Sequence, residues 1–181
     1  MMDEIIALIR CRLPDGPSSL SAPLARDDVL AGDERRLGFN LPALLKRLYG
    51  EIGNGGFGPG YGLIGLSGGA LDDLGRTAPE TYAALSQPGA DDSDFIWPTG
   101  LLPICHWGCA IYSCIACAAP GFPMKIFDPN LHASINSWDD AFFAEGLSFD
   151  EWIEAWARGE DLWEKSYGDD GAVARELLRR Q

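Results

Sequence analysis

Residues 109–119 read CAIYSCIACAA and are apolar at nearly every position. A strand with one wet face alternates apolar with polar residues; a run without alternation has to be covered on both faces. The run therefore predicts a central strand, and it obliges the rest of the chain to supply two covering layers. PMKIFD at 123–128 follows a turn at Pro120–Gly121 and is the expected pairing partner. FIWPTGLLPICHW, just upstream, belongs to the same strand-rich stretch.

The covering layers are written as helices on either side of it. Residues 3–13 place Ile5, Ile6, Leu8, Ile9 and Leu13 on one face. PDGPSSLSAP is a loop. LARDDVLAGDERRLG is helical around Val29 and Leu37, with an interruption expected at Gly32. A helix over 41–52 follows, with Leu41, Leu44, Leu45, Leu48 and Ile52 at helical spacing, Asn40 as N-cap and Pro42 in the first turn. YGLIGL at 61–66 reads as a first strand, PETYAALS at 79–86 as a short helix, and QPGADDSD as an exposed acidic loop. In the last third, SFDE at 148–151 is a capping box with Ser148 as N-cap and Glu151 at N3. Trp152, Ala155 and Trp156 share a face of that helix, and Gly159 ends it. DLWEKS is a further turn and GAVARELLRR a final amphipathic helix. Helices, then strands, then helices predict an α+β fold: one mixed, largely antiparallel sheet flanked by N-terminal and C-terminal helices, in a single domain spanning 1–181.

GNGGFG at 53–58 satisfies the G-x-G-x-x-G spacing of dinucleotide-binding loops. That loop works only between a strand and a following helix, because the pyrophosphate rests on a helix N-terminus. Here a helix enters and an apolar strand-like run leaves. Asp72 and Asp73 lie at the distance of a ribose-binding acid, but GALDDLGRTAPE is not a strand. The glycines are read as a helix end at Gly53–Asn54, in left-handed backbone, followed by a turn in which at least one of Gly55 and Gly56 has positive φ. No cofactor is expected.

Cys105, His106, Cys109, Cys114 and Cys117 cluster within the central stretch. Cys114 and Cys117 have zinc-ligand spacing, but residues i and i+3 of a strand face opposite ways, and no second ligand pair is present. Cys105 and His106 are neighbours on a strand and face apart, and His132 is the other histidine, so a thiol enzyme or zinc enzyme centred on Cys105–Cys117 is the weaker reading. Asp91, Asp92 and Asp94 lack the spacing of a calcium loop. Six tryptophans, Trp97, Trp107, Trp138, Trp152, Trp156 and Trp163, serve as core or as protein-binding anchors.

Charge narrows the partners. The formal net charge is −13, and residues 128–170 carry twelve acids against Arg158 and Lys165 alone. Such a surface repels nucleic acid and anionic lipid and attracts cationic partners, or serves solubility alone. Asp91, Asp92, Asp94, Asp139, Asp140 and Glu145 are the candidate contact residues. MMDEIIALIRCRL has no basic leader or apolar core of a signal peptide, and five cysteines make an odd number, so a reducing, cytoplasmic setting with free thiols is expected.

Together, ERRLGFNLPALLKRLYGEIGNGGFGPGYGLIGL, WPTGLLPICHWGCAIYSCIAC with PMKIFDPN, and SFDEWIEAWARGEDLW resemble the SUKH superfamily over residues 25–165. Asn54, Gly55 and Gly56 match its turn motif, and Trp107 with Gly108 its strand motif. Ala116 departs from the pattern, which has an acid after the SCI stretch. The resemblance implies an α+β fold and a non-enzymatic role. Bacterial members are immunity proteins that bind and block a cognate toxin, often a nuclease, whereas the fungal relative is a regulatory interaction protein of cell-wall synthesis. It implies no catalytic residues. The expected partner is a basic protein toxin, with no nucleic acid and no membrane; a regulatory scaffold for another cellular protein is the alternative.

Overall fold

The doubly apolar run is the second of four strands in one sheet. A computed structural model describes residues 1–13, 22–87, 95–133 and 137–180. The strands are β1 (Leu101–Gly108), β2 (Ile111–Ala116), β3 (Pro123–Phe127) and β4 (Phe142–Ser148), in the order β1-β2-β3-β4. All three pairings are antiparallel. The register explains the missing alternation. Ser113, Ile126 and Phe143 stand in one row across the sheet, and Tyr112, Phe127 and Phe142 in the next, on the opposite face. Ile111, Ile126 and Phe143 pack under Val173 from the C-terminal helices. The second row meets Trp97, whose ring centroid lies 5.0 Å from Phe127 and 5.6 Å from Phe142. Both faces of β2 are thus dry.

The N-terminal layer is α1 (Met2–Arg12), α2 (Asp27–Leu37), α3 (Ala43–Glu51) and α4 (Ala78–Leu85). Ile5, Ile6 and Ile9 of α1 and Leu44, Leu45, Leu48 and Tyr49 of α3 are buried in the main core. The C-terminal layer is α5 (Phe149–Ala157), α6 (Leu162–Tyr167) and α7 (Ala172–Arg179). The capping box of α5 forms as read: Ser148 N–H donates to Glu151 Oε2 at 2.8 Å, and Glu151 N–H donates to the Ser148 hydroxyl. A second one starts α4, where Thr77 N–H donates to Glu80 Oε2 at 2.9 Å.

Several sequence expectations are corrected. α2 runs through Gly32 unbroken, because one glycine costs only about 1 kcal/mol against alanine and the flanking turns pack. Asn40 does not cap α3; Pro42 holds that position, and Glu34 reaches across to accept the Leu41 N–H at 2.8 Å. YGLIGL makes a single bridge, Leu63 to Cys105, rather than a strand. Gly62 at φ +94° curls the chain, so Leu63 N–H turns back onto the Phe57 carbonyl at 2.6 Å. Gly55 and Gly56 have positive φ as expected (+82° and +81°), but the left-handed backbone does not include Gly53–Asn54. β4 was not anticipated at all. Most of the loop expected at 14–23 and of the acidic loop at 87–94 lies outside the described residues.

Candidate protein-binding surfaces

The turn motif turns out to be a brace. Asn54 is buried; its side-chain carbonyl accepts the Leu66 N–H at 2.8 Å, and its amide donates to the Leu66 and Ser67 carbonyls, both at 3.3 Å. Gly55 lies so close to the returning chain that a Cβ there would stand 2.5 Å from the Leu63 carbonyl oxygen and 2.7 Å from Gly65 N. Asn54, Gly55 and Gly56 therefore fix the path of residues 61–70 along β1. Trp107 and Gly108 end β1: the Trp107 indole donates to the Ser113 hydroxyl at 3.0 Å, and its ring lies 5.5 Å from Trp163 of α6.

Among the described residues, two of the concave surfaces bear on function. The larger is a groove of about 960 Å³ between the end of β4, α6 and the start of α7. Glu160, Asp161, Glu164, Asp169 and Asp170 are exposed along it, against Lys165 and Arg175. Lys165 is paired with Glu160, and Asp161 caps α6 by accepting the Glu164 N–H at 3.0 Å. Glu145 stands at the inner edge, two residues after Phe143 and on the same face of β4. Its Oε2 accepts the Trp152 indole N–H at 2.8 Å, with the Ser166 hydroxyl at 3.5 Å, while Oε1 is buried without a hydrogen bond. Burial pushes its carboxyl up to about 7, and the polar groups of Ser113, Trp152 and Ser166 pull the other way.

The smaller surface is a pocket of about 450 Å³ beside the glycine loop, floored by His106 and lined by Tyr61, Ile64, Leu71, Asp72 and Asp73. The Tyr61 ring is stacked on His106 at 5.5 Å. Asp72 is consumed by the protein's own donors: the Leu74 and Arg76 N–H groups at 2.9 Å each, Thr81 at 2.9 Å and Tyr112 at 3.4 Å. Sequence reading passed over this pocket. Its signal in the sequence is Tyr61 among glycines, followed by the pair Asp72 and Asp73.

Of the expected contact acids that are described, Glu145 stands apart from Asp139 and Asp140. Asp91, Asp92 and Asp94 lie outside the described residues. Asp139 is exposed, on a 3-10 turn over Trp138–Ala141. Asp140, on the same turn, is engaged with His132 Nδ1 at 2.6 Å, under a Trp138 ring 4.0 Å from the imidazole. Glu145 faces inward, because β4 turns it toward Trp152. The cysteines are free thiols, and burial raises Cys105 and Cys114 well above the ordinary range and Cys117 to about 12. A nucleophile or a metal ligand needs the opposite shift. Cys105 instead donates to the Pro59 carbonyl at 3.3 Å. Among the described residues no helix is long and apolar enough to cross a membrane.

A helix leading through an Asn-Gly-Gly brace to an antiparallel sheet, closed by a tryptophan-bearing helix, is an α+β domain of the SUKH class. The chain belongs to the SMI1 / KNR4 family (SUKH-1), whose sequence profile matches residues 25–164. Membership associates it with protein partners and with an immunity-like or cell-wall-related role. No curated protein and no solved structure matches the chain.

Proposed function

We propose that this is a non-enzymatic, cytoplasmic immunity-type protein that binds a cognate bacterial toxin and blocks it by occlusion. The observation that carries this reading is the gathering of five exposed acids along one groove of a SUKH-family fold, in a stretch, residues 128–170, whose formal charge is −10. A nuclease toxin holds phosphates in a basic cleft, and an acidic inhibitor is drawn into such a cleft quickly. Asp139 is exposed, and Asp91, Asp92 and Asp94 are further acids of this chain proposed to contact the partner. The three buried thiols, held protonated, favour this reading over a thiol or zinc enzyme at Cys105–Cys117.

The test is protection. Cells expressing a toxin encoded beside this protein should arrest, and co-expression should restore growth through an isolable one-to-one complex. Arrest that persists while both proteins accumulate, or protection without a complex, contradicts the proposal.

A further inference from the structure

The pocket over His106 differs in chemistry from the acidic groove. Its lining carries two carboxylates and, His106 apart, no basic side chain. Asp72 is saturated from within, but Asp73 is 51% exposed and faces His106 Nε2, 3.3 Å from its Oδ1. That nitrogen is buried and lacks an aligned hydrogen bond, and His106 as a whole is only 3% exposed. Native proteins rarely leave a buried polar atom unbonded, and each such atom calls for an explanation. Above it, Tyr61 is 77% exposed, and Leu71 at the rim is 57% exposed, more apolar surface than a loop of this kind needs to show.

We propose that this pocket is a socket for one arginine side chain of the protein partner; the proposal rests on the reading above that the partner is a basic protein. The half-exposed Asp73 carboxylate supplies the acceptor oxygens for the fork of a guanidinium. The Tyr61 ring lies nearly parallel to the imidazole, at 29°, so it offers a flat face to a planar cation. Leu71 supplies apolar wall for the methylene stem. Tyr61 is 77% exposed, so the face turned away from the imidazole is open for the guanidinium to stack on. A lysine ammonium is a compact point charge and would use the carboxylate but not the stacked planes. The lining offers no site for the carboxylate of a free amino acid, which favours a side chain on a protein.

The probe is N-acetyl-arginine-N-methylamide, titrated into the 15N-labelled full chain and followed by NMR. Shifts should be confined to residues 61–64, 71–73 and 106–108 and should include the His106 Nε2 resonance, with a Kd on the order of 1 mM, as suits a single side chain. The blocked lysine and citrulline analogues should bind about tenfold more weakly or worse, and free arginine no more tightly than the blocked form. Asp73→Asn and Tyr61→Ala alter exposed side chains; each should weaken binding about tenfold with the melting temperature unchanged. Equal binding of citrulline, shifts spread over the groove at 145–170, tighter binding of free arginine, or indifference to Asp73→Asn would each overturn the socket. Its failure is separable from failure of the immunity reading. Toxin still neutralised without arginine binding removes only the socket; arginine bound without protection removes only the immunity role.

Discussion

Glu145 shows how one side chain can contradict the class it is read into. Counted with the acids of residues 128–170, it is a surface charge; in the fold its carboxylate is buried against Trp152 and Ser166, with one oxygen unbonded. Burial raises its carboxyl from the ordinary 4.5 to about 7. A group whose folded pKa lies above its unfolded value contributes stability that is fully present below pH 4.5 and is lost as pH rises through 7. Glu145→Gln keeps the shape of the protonated acid and removes the titration. The variant should match the parent near pH 4 and exceed it at pH 8 by about 2 kcal/mol. Urea unfolding at the two pH values checks this; parallel pH profiles for parent and variant would place the carboxylate in solvent.

At the scale of elements, the hairpin joining β1 and β2 carries strain that the sequence did not advertise. Cys109 and Ala110 both have positive φ, +51° and +62°, in a two-residue connection of the type that favours Asn-Gly. The Asn130 side-chain amide holds the turn by donating to the Cys109 carbonyl at 3.0 Å. Ala110→Gly relieves a left-handed alanine and should raise stability by about 0.5–1 kcal/mol, read as a higher urea midpoint at unchanged slope. The elements legible in the sequence were those whose residues agree with their surroundings: β2, apolar on both faces, and α5, with Ser148 and Glu151 in register for its cap. β4 was illegible because its polarity is inverted, with Glu145 turned inward and Ala144 exposed. YGLIGL misled for the opposite reason. Its leucines and isoleucine are buried as in a strand, but Gly62 bends it away from pairing. The acidic groove was visible as charge, yet its walls come from α6, α7 and β4, and no local pattern reports that closure.

For the whole molecule, charge and shape act together. The net charge of −13 keeps like molecules apart and sets a long-range field, while the groove along α6 and α7 concentrates that field at one place. If the groove captures a basic toxin, steering should dominate the rate of encounter and fade once salt shortens the Debye length, about 8 Å at physiological ionic strength. Glu164, Asp169 and Asp170 are exposed there, and none of them caps a helix. Asp169→Lys and Asp170→Lys should each shift stability by no more than about 0.5 kcal/mol, and Glu164→Lys, in the first turn of α6, should cost about 1 kcal/mol, which leaves the triple variant folded. The direct measurement is the association rate with the cognate toxin, parent against triple variant, across a salt series. Capture by the groove requires a parent rate that falls steeply with salt and a variant rate at least about tenfold slower at low salt, with the two converging at high salt. Rates that coincide at every ionic strength would mean that the acidic groove is not where the toxin binds.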